Sequence, residues 1–279
     1  MLTIDQLQSY HTDGFILLKN VISAEELERL RSAIELVYQK VNSDPLQFKT
    51  RYTQKDEGYD TWGVADILSP ELRDPSFDEL LANPKIMSPI SQIIGNQLRF
   101  WTMHSFWAPQ RVDYNLVWHR DQQDPYDFDQ PGQTTFLLAN LSLYEDEAFK
   151  AVPGTHIRAL KEQELQAILD RESSPLPNEV TLYCEPGDLV LFNALILHRG
   201  SAEAGSERRT VHFSLQAKDE AKGGYTSRPW MKDKAYRESL HPVTQELITS
   251  LIEWEDAHPI KKSLAGMRRA YRDHNHITK

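Results

Sequence analysis

Cysteine is nearly missing from this chain: Cys184 is the only one among 279 residues. A lone thiol excludes an intrachain disulfide and a thiolate zinc cluster, so any metal here must be held by nitrogen and oxygen. Long apolar runs are missing too, and none approaches the roughly 20 residues of a membrane span. The first residues, Met1-Leu2-Thr3-Ile4-Asp5, lack the basic-then-apolar pattern of an export signal. Positive charge is scarce: 31 lysines and arginines face 41 aspartates and glutamates, a formal charge of −10. That balance argues against nucleic acid or an anionic membrane surface as partner, since both select basic patches. The expectation is a soluble, cytoplasmic protein with a small-molecule partner and neither a nucleic-acid nor a membrane partner. Oligomeric state is left open.

Neither an internal repeat nor a low-complexity linker divides the chain, so one domain is expected over 1–279. Its first part, 1–96, reads as mostly helical. Thr3 with Gln6, and Ser23 with Glu26, form capping boxes, and Ser76 with Glu79 signals a third helix start. The second box opens a helix with Leu27, Leu30, Ile34 and Val37 on one face. A short strand is expected at Phe15 to Leu18. The segment from Arg51 to Asp66, rich in tyrosine and tryptophan, reads as irregular, either a lid or an ordered surface loop. Between 97 and 216 short apolar runs recur at Leu98 to Trp101, Leu116 to Trp118, Phe136 to Leu143, Val180 to Tyr183, Leu189 to Phe192 and Thr210 to Leu215. Turn residues separate them, the pattern of a β-sandwich or barrel. The last part, 217–279, returns to helix, at Val243 to Trp254 and Ile260 to Tyr271. The expected fold is therefore mainly β with flanking helices.

Within the β-rich part, Val117-Trp118-His119-Arg120-Asp121 sets a histidine and a carboxylate two positions apart. On a strand the two side chains leave the same face. A second copy of the pattern, His11-Thr12-Asp13, falls on a helix, where residues two apart diverge. His198, at the end of an apolar run, is the natural third member. Two histidines and one carboxylate form the facial set that leaves open positions on ferrous iron.

These residues sit in a collinear series. His11-Thr12-Asp13-Gly14-Phe15-Ile16 is followed by Ser23-Ala24-Glu25-Glu26, Trp118-His119-Arg120-Asp121, Val152-Pro153-Gly154-Thr155-His156 and Gly187-Asp188-Leu189 through His198. In that order the chain resembles the phytanoyl-CoA dioxygenase family of Fe(II)/2-oxoglutarate oxygenases, from Leu2 to about Gln216. The resemblance implies a double-stranded β-helix, or jelly roll, with Fe(II) held by His119, Asp121 and His198. It implies 2-oxoglutarate and O₂ as co-substrates, and hydroxylation of a small or medium organic metabolite with release of succinate and CO₂. A carboxylate at 121, where related halogenases carry a small residue, favours hydroxylation. The alternative is a jelly-roll ligand-binding or sensor protein without turnover.

The family places an arginine beyond the distal histidine to grip the co-substrate's far carboxylate, which a planar guanidinium meets with two parallel bonds. Alternation puts Arg208, Thr210, His212 and Ser214 on one face and Arg209, Val211, Phe213 and Leu215 on the other. Arg208 is therefore preferred to Arg209, with the Thr210 hydroxyl as a second contact. The chain departs from the family at Arg199, which separates His198 from Gly200-Ser201, and at Glu145-Asp146-Glu147, where Glu-Asn-Gly is common. The lysine often found upstream of the His-x-Asp is also missing. His156 reads as a turn residue, His104 and His212 as candidates for the cavity. Trp62, Trp101, Trp107 and Trp118 read as pocket wall or core. The acidic run from Asp124 to Asp129 is a solvated loop or a substrate contact. His274-Asn275-His276 reads as a frayed tail. No basic cluster suits a coenzyme A phosphate.

Overall fold

A computed structural model describes residues 1–55, 58–122, 127–130, 132–221 and 226–259, the side chains of 54, 55 and 58 excepted. The elements run α1 (Ile4–Asp13), β1 (Phe15–Leu18), α2 (Ala24–Ser43), β2 (Thr50–Lys55), β3 (Gly58–Ala65), α3 (Pro75–Leu80), α4 (Pro84–Ile94), β4 (Leu98–Trp107) and β5 (Tyr114–Asn115). They continue β6 (Phe136–Ser142), β7 (Phe149–Val152), α5 (Glu162–Leu169), β8 (Val180–Thr181), β9 (Leu189–Asn193), β10 (Leu197–Ala202), β11 (Arg209–Ala217), α6 (Pro229–Lys232), α7 (Lys234–Glu238) and α8 (Pro242–Ala257).

Every strand pair is antiparallel. Seven strands form one sheet in the order β1-β9-β6-β11-β4-β3-β2, and four form the other in the order β5-β10-β7-β8. The two sheets make the open jelly roll, and strict alternation along the strands explains how. Leu137, Ala139 and Leu141 of β6, Leu189 and Leu191 of β9, and Val211, Phe213 and Leu215 of β11 bury against the helices. Their neighbours turn the other way: Phe136, Leu138, Val190 and Phe192 meet Phe149 and Ala151 of β7 between the sheets. Towards one end of that inner layer the apolar residues give way to Asn140, Ser142, Thr210 and His212, which opens a cavity.

The helices cover the outer face of the large sheet. Leu30, Ile34 and Val37 of α2, Ile86 and Ile90 of α4, and Leu247, Ile248 and Leu251 of α8 join one continuous core with it. Each such side chain contributes about 1.5–3 kcal/mol through burial. The capping boxes at Thr3 and Ser23 form as the sequence predicts. At the third helix the cap is Asp74, not Ser76: its carboxylate accepts from Ser76 N at 2.9 Å, and Pro75 takes the first helical position. Among the described residues no helix is long and apolar enough to cross a membrane.

Three expectations are corrected. The stretch from Arg51 to Asp66 is not irregular: β2 and β3 form a hairpin that extends the large sheet through β4. A register shift between Arg51 and Tyr52 leaves Trp62 of β3 as an extra residue, and this bulge breaks the alternation a sequence reader relies on. Leu116 to Trp118 is not a strand, because regular pairing stops at Asn115. Val180 to Tyr183 shortens to β8, with Cys184 continuing as a single bridge to Asp146. The helix expected at Ile260 to Tyr271, and His274-Asn275-His276, lie outside the described residues.

Candidate metal centre and the cavity around it

His198 belongs to β10, whose partner β7 carries Ala151 opposite it. His119 lies outside any strand, yet a single reciprocal bridge joins it to His198: His119 N donates to His198 O and His198 N to His119 O, each at 3.0 Å. Asp121 follows in a bend. The expected shared face of a strand is thus replaced by a bridge and a bend, with the same outcome. The imidazole centroids of His119 and His198 stand 4.3 Å apart, and His198 Nε2 lies 3.3 Å from Asp121 Oδ2. One donor atom from each of the three residues falls within 4.8 Å of the others. Ligands about 2.1 Å from a common ion, meeting it at right angles, stand about 3 Å apart, so a modest contraction completes the set.

The hydrogen bonds fix how these rings face. His119 Nδ1 lies 2.8 Å from Val117 O and His198 Nδ1 3.1 Å from Ile196 O. A carbonyl only accepts, so each Nδ1 carries the proton and each Nε2 keeps its lone pair for a ligand role. Burial, together with the neighbouring His119, pulls His198 down to about 4, so it is neutral above mildly acidic pH. For Asp121, burial works to raise the carboxyl, but His198, His119, His212 and Arg51 outweigh it and hold it below the usual range. Two imidazoles whose Nδ1 atoms are tied to carbonyls and an anionic carboxylate, converging on one point, fit a divalent cation.

The cavity beside them holds about 230 Å³. Arg208, immediately before β11, lines it; Thr210 is fully buried behind it, against Asp146, and is not part of the lining; Arg209 points outward to Glu35 at 3.4 Å and over the Tyr38 ring. Both Arg208 and Thr210 meet Asp146, which the sequence marked only as part of a departure from the family. Asp146 Oδ2 accepts from Arg208 Nε at 2.9 Å and from Thr210 Oγ1 at 2.7 Å, while its Oδ1 accepts from Ala148 N at 2.8 Å. Arg208 also donates to the Tyr114 hydroxyl. Burial lowers Arg208 to about 9 and raises Asp146, and the close pairing favours the charged forms of both. The charged triplet around Asp146 gave no sign of this pairing by itself. Its signal was its place in the family motif where asparagine is common.

The remaining candidates separate cleanly. His212 lines the cavity, with Nδ1 2.7 Å from Asn140 Oδ1, and His104 stacks on it at 5.8 Å. Burial drives both below the ordinary imidazole value, His104 to about 3. His104 Nδ1 accepts from Asp66 N. His156 is buried in the turn after β7 and takes no part in the cavity. Of the four tryptophans only Trp62 lines the cavity. Trp107 and Trp118 are fully buried and donate to Thr61 O and Ser174 O, and Trp101 packs on Phe136. Arg199 lines the cavity too, bound to Glu179 at 2.8 Å. In the acidic run, Asp129 accepts from Asn193 at 2.7 Å and so is structural; 124–126 lie outside the described residues.

A profile of the phytanoyl-CoA dioxygenase (PhyH) family matches residues 10–211, well over half the chain and all of the residues just described up to β11. The chain belongs to that family. Among curated relatives, it is similar to the ectoine dioxygenases of Bordetella bronchiseptica and Bordetella parapertussis, 24% and 26% identical over 159 residues. These matches take in 56% of the chain, which spans about half the length of either relative. Solved structures share the fold. AviO1 from Streptomyces viridochromogenes Tue57 superposes with a TM-score of 0.62 at 17% identity, over 80% of this chain and 99% of that one. EctD from S. alaskensis with 2-oxoglutarate and 5-hydroxyectoine gives 0.61 at 18%, over 82% of each chain. HygX from Streptomyces hygroscopicus with nickel and 2-oxoglutarate gives 0.59 at 18%, over 77% and 87%.

Proposed function

We propose that this family member is an Fe(II)- and 2-oxoglutarate-dependent dioxygenase that hydroxylates a small organic molecule with release of succinate and CO₂. The observation that carries the reading is the convergence of His119, Asp121 and His198, both imidazoles presenting Nε2, on one edge of a cavity that also contains Arg208. The solved relatives with iron or nickel and 2-oxoglutarate bound support the same assignment. Bound there, iron and the keto-acid would supply the oxidising chemistry, which belongs to the cofactor and not to the protein. The chain's part is to hold and orient. His119, Asp121 and His198 would occupy one face of the ion and leave the opposite face open. Arg208 and Thr210 would receive the far carboxylate of 2-oxoglutarate. The apolar wall of Phe149, Val190 and Phe192 keeps water away from the ligand histidines.

Anaerobic Fe(II) with 2-oxoglutarate is expected to give a visible charge-transfer band that His119→Ala abolishes and His11→Ala leaves in place. A band surviving His119→Ala would remove the site. A second reading, a binding or sensor protein without turnover, is favoured by one observation: the Arg208 guanidinium is already paired with Asp146. Succinate release that depends on O₂ and iron separates the two.

A further inference from the structure

Among the described residues three arginines line the cavity, and two are committed to carboxylates of the chain itself: Arg199 to Glu179 at 2.8 Å and Arg208 to Asp146 at 2.9 Å. The third, Arg51 of β2, forms neither a hydrogen bond nor an ion pair with any described residue. Its guanidinium stands 5.7 Å from the Trp62 ring and 5.6 Å from the Phe106 ring. Phe106 has the Arg208 guanidinium 5.9 Å from the same ring, so two cations flank one aromatic, and only Arg208 is ion-paired among the described residues. The backbone is shaped for this. Arg51 pairs with Gly63 and Gly63 with Phe106, and a Cβ on Gly63 would fall 2.7 Å from the Phe106 ring. The missing side chain lets Phe106 lie across the hairpin, and the adjoining bulge turns Trp62 inward beside it. Arg51 lines the same cavity as Asp121, His119, His198 and His212.

We propose that Arg51 is the recognition group for a carboxylate on the molecule to be oxidised, whose apolar or ring-shaped body packs on the wall of Trp62 and Phe106. This assignment rests on the oxygenase reading above. A single planar guanidinium suits a carboxylate, which it meets through two parallel bonds. A phosphate would call on further cations, and the other two arginines of the cavity are taken. Arg51 lies at the solvent-open rim, so it can meet an entering anion without first breaking an internal pair. The volume of about 230 Å³ admits a small molecule.

The test compares phenylacetate, cyclohexanecarboxylate and N-acetylproline, each against its primary amide, by calorimetry or ligand-observed NMR on the metal-free protein. Wild type is expected to prefer at least one acid over its amide by about tenfold or more, the worth of a charge-assisted bond. Arg51→Gln should abolish the preference, and Arg51→Lys should retain part of it. The 2-oxoglutarate affinity of Arg51→Gln, read from the Fe(II) charge-transfer band, should stay within about twofold of wild type, because that carboxylate has its own arginine. A preference that survives Arg51→Gln overturns the proposal, as does a wild type that prefers no acid in the panel. So does a loss of 2-oxoglutarate affinity in Arg51→Gln equal to that in Arg208→Gln, which would make Arg51 part of the co-substrate site. If wild type gives no charge-transfer band, the oxygenase reading fails, while the acid–amide comparison is still readable.

Discussion

Asparagine at position 146 would keep the shape of the Asp146 side chain and remove its charge. In the native protein that carboxylate accepts from Arg208 Nε, from Thr210 Oγ1 and from Ala148 N, at 2.9, 2.7 and 2.8 Å. An asparagine oxygen can keep the Ala148 bond, but the amide nitrogen then faces two donors. The Thr210 hydroxyl can rotate and accept; the guanidinium cannot. Arg208, buried to 7% exposure, would be left without a counter-charge. Breaking one side of a buried pair costs about 3–5 kcal/mol. The Tyr114 hydroxyl still meets Arg208, so we expect about 3 kcal/mol and a fall in Tm on the order of 10 °C. The co-substrate reverses the effect. A dianion placing its far carboxylate on Arg208 supplies what the variant lacks, so 2-oxoglutarate should stabilise Asp146→Asn more than wild type. Urea or thermal unfolding of both proteins with Ni(II), with and without 2-oxoglutarate, reads both quantities. A variant as stable as wild type would mean that the native carboxyl is protonated, the direction in which burial pushes it, and the ion pair would be refuted. A smaller gain from 2-oxoglutarate in the variant would place Asp146 among the groups the co-substrate needs, and would refute the linkage.

Other outcomes follow from the same geometry. Gly63→Ala would drive a Cβ to 2.7 Å from Phe106 and 2.8 Å from Ser105 O, and since backbone cannot yield, we expect about 1–3 kcal/mol of destabilisation in urea unfolding; a change under about 0.5 kcal/mol would contradict the packing. Acid should destabilise the metal-free protein early. Burial holds His156 and His198 near 4, below the unfolded value of 6.5, so the folded state binds fewer protons than the unfolded one. Their contribution is complete above about pH 6.5 and is lost as pH falls towards 4, by about 3 kcal/mol for each histidine. Urea midpoints that stay flat from pH 7.5 to 4.5 would exclude this. Chelation of the metal and its reloading at pH 4 should show weaker affinity than at pH 7.5, since His198 takes up a proton near pH 4 and its Nε2 must be free of protons to bind.

The sequence carried the inner face of β11 in plain sight. Thr210, His212 and Ser214 alternate with Val211, Phe213 and Leu215, and the regular pleat converts that spacing directly into cavity side and helix side. The metal triad was legible through its order along the chain and not through local structure. His119 and Asp121 share a side because of a bridge and a bend, which no periodicity announces. Asp146 was missed because its partners lie 62 and 64 residues away, and a run of three acids between turns looks solvated. Arg51 was missed for a different reason, and Trp62 was named only as one of four tryptophans for pocket wall or core. A bulge inserts one residue into the pleat, so the stretch loses its period of two and reads as a loop although β2 and β3 pair along it. Residues whose role depends on non-local pairing, or on a break in register, leave little trace in composition.

The reciprocal pairing of His119 with His198 means that the spacing of two ligands is set by main chain and not by whatever ion they hold. The candidate site is then preorganised: docking an ion would have only one carboxylate and two short ring adjustments left to immobilise. If His119, Asp121 and His198 hold a metal as proposed, such a centre would exchange one ion for another without refolding, and the identity of the ion would be a question of supply as much as of structure.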